Sequence, residues 1–188
     1  ITANRGDLFS HFGVAREIGA LYNEKIKIPE IKITESEKPT TDLIKISIEA
    51  NDVCKRFTGR VISNVTIKES PEWLKKRLKA IGLNPKNNIV DITNYVMFET
   101  GQPLHAFDYD KINGKEIIVK KAKDGDKFTT LDGKERTLNS ESLMICDANG
   151  YSGIAGVMGG KNSEISGDTK NIFLESAYFD AVSVRKNS

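Results

Sequence analysis

Cysteine and histidine are scarce here, with two of each in 188 residues. Cys54 and Cys146 stand far apart and have no CxxC partner, so a disulfide-stapled secreted scaffold is excluded. A reduced, cytoplasmic protein is the better reading, with one Cys54–Cys146 bridge as the alternative. Two scattered histidines and two scattered cysteines also lack the spacing of a zinc site. No apolar run approaches the roughly 20 residues of a membrane helix, and no membrane partner is expected. Charge of one sign is lacking too. With 28 basic against 26 acidic residues, the net charge of +2 gives no broad field for wrapping nucleic acid, only room for a local basic groove. The first residue is Ile1 and no signal peptide is visible. The final "FDAVSVRKNS" opens a helix at Asp180 and breaks off, which reads as a piece of a longer polypeptide.

What is present reads as an α+β chain, with antiparallel β-sheets and flanking helices. Ser10 is placed to cap a helix over about 11–22, with Val14, Ile18 and Leu21 on one face. A polar stretch with Pro29 and Pro39 reads as a linker, so the expected division is 1–42 for the N-terminal helix and linker, and 43–188 for the main domain. "LIKISIEA" alternates, with Ile44, Ile46 and Ile48 on one side, as a half-buried strand does. In "SPEWLKKRLKAIG", Ser70 is the expected cap, Pro71 opens the first turn and Gly82 closes the helix. Leu74, Leu78 and Ile81 form its apolar stripe, while Lys75, Lys76 and Lys79 make a face that is either solvated or turned to RNA. A further helix is predicted over 92–100, capped by Asp91 and ended by Gly101. From Lys115 onward strands dominate, with hairpins at Asp132-Gly133 and Asn149-Gly150.

Several apparent motifs carry no chemistry. Arg5-Gly6-Asp7 reads as a lead-in to the first helix. "GVMGGKNS" resembles a phosphate-binding loop, but Ala155 stands where the first glycine belongs and Asn162 replaces the magnesium-binding Ser or Thr. No Ser-His-Asp or Cys-His arrangement is apparent.

Three stretches are more informative. In "TNYVMFETGQPLHAFD", residues 93–108, a Gly-Gln-Pro bend lets His105 return toward Thr93 and Asn94. His105 is then either a site imidazole or a structural hydrogen-bonder. "GIAGVMGG", residues 153–160, has four glycines in eight positions. Such a strand either packs as a bulge or lets another group approach its backbone. In "NIFLESAYFD", Glu175 stands amid apolar residues. It either points out at a sheet edge, the commoner case, or is buried with a purpose, since an unpartnered buried carboxylate costs several kcal/mol.

Together and in this order, these stretches and "ITANRGDLFSHFGVAREIGALY" resemble the central part of the beta subunit of bacterial phenylalanyl-tRNA synthetase, its third and fourth modules. The resemblance spans Ile1 to Ser188. It implies an editing domain, 43–188, that hydrolyses tyrosine mischarged on phenylalanine tRNA, within an enzyme whose aminoacylation centre lies in the alpha subunit. It implies Thr93, Asn94 and His105 near the scissile ester and the 3′ acceptor end, with Gln102 and Pro103 shaping the same loop. Ala155, Gly156 and Gly159 would be approached by the tyrosine ring, and Glu175 would recognise the phenol hydroxyl. The family continues into a Thr-x-Ala stretch beyond this sequence that completes the pocket wall. No cofactor is expected for editing. ATP and magnesium belong to the whole enzyme and bind elsewhere, and the implied partners are phenylalanine tRNA and the alpha subunit of a heterotetramer.

That expectation has a physical basis. Tyrosine differs from phenylalanine by one hydroxyl, and a site that excludes it by size alone leaks. A second site offering a buried carboxylate acceptor selects for the hydroxyl by about 1.5–3 kcal/mol. The competing expectation is a non-catalytic module that guides tRNA or braces the synthetase, for which Lys75, Lys76 and Lys79 matter more than Glu175. A free-standing deacylase is a third.

Overall fold

A computed structural model describes residues 1–2 and 4–188. The backbone separates into a helical unit, Ile1–Lys38 with Glu69–Leu104, and a β unit, Pro39–Lys68 with His105–Ser188. Both units are therefore discontinuous, unlike a single cut near residue 42. After its first two strands the β unit releases the chain, which forms two helices of the helical unit before returning at His105.

In the helical unit, α1 (His11–Tyr22) is capped by Ser10, whose Oγ accepts from the Gly13 amide at 3.0 Å. Asn23 ends it in the left-handed region at φ 54°. Arg5 pairs with Asp7 at 2.9 Å and Glu17 at 2.7 Å, so the Arg-Gly-Asp triplet is tied down locally as a helix lead-in. His11 Nδ1 donates to the Phe98 carbonyl at 2.9 Å, which gives the second histidine a structural role. The expected burial of Val14, Ile18 and Leu21 is not observed: they are 40%, 51% and 76% exposed. α1 buries Gly13 and Gly19 instead. An added Cβ at Gly13 would overlap the Asp7 carbonyl, so the glycine side makes the close contact and the apolar stripe stays open.

α2 (Glu72–Ala80) packs through Leu74 and Leu78, while Ile81 is exposed. α3 (Asn88–Thr100) begins earlier than periodicity suggests. Its cap is Asn87, whose Oδ1 accepts from the amides of Ile89 at 3.1 Å and Val90 at 3.0 Å. Asp91, the expected cap, lies inside the first turn and is buried, accepting from Ser70 Oγ and from the Lys86 amide at 2.9 Å. Ser70 therefore does not cap α2, which starts from Pro71 without a side-chain cap. The buried acid needed partners and took both residues out of their expected roles. Gly101 ends α3 at φ +83°.

The β unit contains two main sheets. The first has five strands: β1 (Lys45–Ile48), β4 (Glu116–Lys121), β7 (Leu143–Asp147), β8 (Gly150–Ile154) and β9 (Met158–Gly159), in that order. Its neighbours are antiparallel except for the parallel β1–β4 pair. The second has β10 (Ile172–Phe179) at its centre, flanked by β2 (Cys54–Ile62) and β3 (His105–Asp108). β5 (Lys127–Thr129) and β6 (Glu135–Thr137) form the hairpin around Asp132-Gly133, and α4 (Ala181–Asn187) closes the unit. One core cluster gathers Phe57, Phe107 and Phe173 from the three-stranded sheet with Ile117, Val119, Leu143 and Ile145 from the other. Alternate residues of β7, Met144 and Cys146, fill a second cluster with Phe128 and Leu138. Cys54 and Cys146 are free, buried and divided between the two clusters.

Candidate active site around Glu175 and His105

β10 is the central strand, so Glu175 is not an edge residue. It is 7% exposed, between Phe173 and Ala177 on the same face of its strand. Strand register sets its neighbours. Glu175 stands opposite His105 on β3 and opposite Gly59 on β2. Directly opposed residues of antiparallel strands project to the same face, with Cβ atoms roughly 5 Å apart. Glu175 and His105 therefore form a cross-strand pair on the face that carries the aromatic core.

The pair is held by its neighbours. The His105 ring meets Phe107 edge-on, with centroids 4.5 Å apart. An added Cβ at Gly159 would lie 2.7 Å from His105 Nε2 and 3.2 Å from Leu131 Cδ1. The imidazole thus rests against the bare backbone of β9. Leu131, at the tip of the β5–β6 hairpin, is fastened there by its amide donating to the Gly159 carbonyl at 3.0 Å. At Gly59 an added Cβ would overlap the Phe173 ring at 2.2 Å, so that glycine makes room for the ring beside Glu175.

Burial alone shifts both titratable groups. It pushes the Glu175 carboxyl up to about 8 and the His105 imidazole down to about 4. At pH 7 the pair is a protonated acid beside a neutral imidazole, not an ion pair. Among the described residues, no fully enclosed side-chain polar atom lacks a hydrogen-bond partner. Among the described residues the Glu175 carboxyl has no side-chain hydrogen bond or ion pair, so desolvation alone raises its pKa, and Glu175 in turn acts electrostatically on the Cys54 thiol. A neutral carboxyl offers one donor and one acceptor, where a charged one would only accept.

The remaining predicted residues are placed as follows. Gly156 lies in the β8–β9 turn at φ +69°, and the space its side chain would take is filled by Val184 and Phe179. Ala155 is buried in the main core cluster, with its amide donating to the Leu143 carbonyl at 2.9 Å. Thr93, Asn94, Gln102 and Pro103 belong to the helical unit. Thr93 is buried and its hydroxyl donates to the Val90 carbonyl at 2.8 Å. Asn94 is half-buried on α3, Gln102 Nε2 donates to the Pro103 carbonyl at 3.1 Å, and Pro103 is exposed. Gly59 and Leu131 were not anticipated from sequence. A lone glycine inside "RFTGRV" is the signal that marks Gly59. Leu131 carries none, since its place depends on where the hairpin tip lands.

This is an α+β domain in which a desolvated acid and an imidazole share one face of a three-stranded sheet. Residues 53–188 match the family described as B3/4 domain, and the chain belongs to that family. It is 53% identical over 188 residues to the phenylalanine–tRNA ligase beta subunit of Fusobacterium nucleatum and 50% identical to that of Bdellovibrio bacteriovorus. Each alignment covers the whole chain, which spans 23% of each relative. Among solved structures, an N-terminal fragment of the phenylalanyl-tRNA synthetase beta subunit from Pyrococcus horikoshii shares the fold with a TM-score of 0.54 at 20% identity. That match covers 96% of this chain and 55% of the other.

Proposed function

We propose that this domain is the proofreading part of a phenylalanine–tRNA ligase beta subunit and hydrolyses tyrosine esterified to phenylalanine tRNA. The observation that supports it is a buried, partnerless carboxyl on a central strand, directly opposite an imidazole. A phenol hydroxyl both donates and accepts, and a protonated Glu175 can do both in return. Each net hydrogen bond contributes about 0.5–1.5 kcal/mol. A phenylalanine ring in the same place would leave the acid with nothing to bind, which costs about a further 1–3 kcal/mol. Two such bonds and this penalty together favour tyrosine by about 2–6 kcal/mol, roughly thirtyfold to ten-thousandfold.

The ester needs little more than a held water and a held ribose, because orientation alone lowers the barrier strongly. His105 is neutral at pH 7, so one ring nitrogen accepts from the attacking water or the terminal ribose and the other donates. Gly159 keeps the ring where it can do so. Thr93, Asn94, Gln102, Pro103, Ala155 and Gly156 have their expected roles from family resemblance. The alpha subunit, the tRNA 3′ end and a cytoplasmic setting belong to the same proposal.

The test is deacylation of tyrosyl-tRNA by the assembled synthetase. Glu175→Ala is expected to slow it tenfold or more while sparing phenylalanine charging. Unchanged deacylation would reject the recognition role. His105→Ala is expected to lower the rate, and equal rates would leave His105 a structural residue. A non-catalytic module would hydrolyse nothing, with or without these substitutions.

A further inference from the structure

A second surface, wholly inside the helical unit, carries different chemistry. Trp73, the one tryptophan of the chain, is 54% exposed on α2 although its helix neighbours Leu74 and Leu78 are each only 1% exposed. Its ring meets Tyr95 of α3 edge-on, with centroids 5.7 Å apart at 89°. The Arg77 guanidinium lies 5.7 Å from the centre of each ring, and its Nη1 donates to the Tyr95 hydroxyl at 2.6 Å. An indole, a phenol and a guanidinium are thus locked together at the surface, while Leu74 and Leu78 anchor the helix from its other side.

The charges around this cluster are sorted. Lys75 neutralises Glu69 and Glu72, with contacts to both carboxylates. Lys76 and Lys79 stay exposed, and Lys76 and Arg77 lie three and four residues after Trp73, on the same side of the helix. Glu99 accepts from the Tyr95 hydroxyl at 3.3 Å, and Glu72, one residue before Trp73, lies within electrostatic reach of Lys76 and Lys79 while its direct ion pair is with Lys75. The outer face of α2 therefore presents an aromatic ring beside exposed cations, Lys76 and Lys79, that make no direct ion pair among the described residues. An exposed plane stacks a base and flanking cations meet phosphates, a combination suited to unpaired nucleotides. An acidic polypeptide would use the charges but has no need of the plane.

We propose that the Trp73–Arg77–Tyr95 surface binds single-stranded RNA, with one base stacked on Trp73 and the strand's phosphates beside Lys76 and Lys79. This surface is independent of the proposed ester hydrolysis. The single tryptophan makes the test direct. A single-stranded RNA octamer titrated into the chain is expected to quench its fluorescence saturably at low salt, more strongly than a duplex of equal length. Polyglutamate is expected to leave it unchanged. With labelled RNA and anisotropy as the readout, Trp73→Ala should weaken binding about tenfold and Trp73→Phe should restore most of it. Lys76→Gln should reduce the slope of log affinity against log salt by about 0.7. Absence of quenching, equal quenching by polyglutamate, or unaltered affinity in a folded Trp73→Ala chain would each overturn the proposal.

Discussion

Four carboxyls are buried among the described residues, Asp91, Asp108, Asp147 and Glu175, and the first and last of these are treated in opposite ways. Asp91, in the helical unit, is 1% exposed and accepts hydrogen bonds from Ser70 and the Lys86 amide. Glu175, in the β unit, is 7% exposed and its carboxyl has no hydrogen-bond partner among the described residues. Satisfied buried acids hold structure together, whereas an unsatisfied one costs free energy and persists when function requires it. The contrast teaches that burial alone does not mark a site. Partners have to be counted as well.

The sharpest break in this comparison is pH. Because the Glu175 pKa is raised from 4.5 to about 8, its protonated folded form is fully favourable below pH 4.5. That contribution is lost as pH rises through about 8, up to roughly 5 kcal/mol in the limit. Glu175→Gln is expected to abolish this alkaline loss, so the variant should be more stable than the parent at pH 9. Urea melts at pH 5, 7 and 9 measure it, and parallel pH curves would show that the acid is not held neutral.

His105 carries the opposite sign and a smaller effect. Its pKa is lowered from 6.5 to about 4, so its contribution is complete above pH 6.5 and is lost as pH falls through 4, roughly 3 kcal/mol in all. His105→Asn should flatten the acid side of the same melts. Asp91→Ala should destabilise the helical unit at every pH by about 2–3 kcal/mol, since a buried hydroxyl and amide lose their acceptor. Circular dichroism at 222 nm follows it, and a loss below 0.5 kcal/mol would mean that water replaces the acid (the ordinary surface outcome). Smallest is Gly159→Ala. The new methyl would press on the imidazole, displacing it with a several-fold loss of tyrosyl-tRNA deacylation and little change in stability. A full rate would show that the ring has room to retreat and still act.

Much of the local structure was legible. Ser10, Gly101, Asp132-Gly133 and Asn149-Gly150 mark the ends and turns where the chain places them. These signals are read between residues a few positions apart, bound by one capping bond or one left-handed angle. The same local reading failed at Ser70 and Asp91, which match helix caps in pattern but satisfy each other instead across an inter-helix contact. It failed again at Val14 and Ile18, where α1 packs by its glycines.

By itself the sequence determined the alternation of β1, the C-terminal ends of the first and third helices, the hairpins and the presence of a lone acid in an apolar segment. Tertiary structure alone decided that this segment is the middle strand and that its acid faces His105, with Leu131 fastened beside the ring. The physical reason is register: Glu175 and His105 meet through hydrogen bonds between strands seventy residues apart. A slip of one residue would have turned the acid to the other face of the sheet.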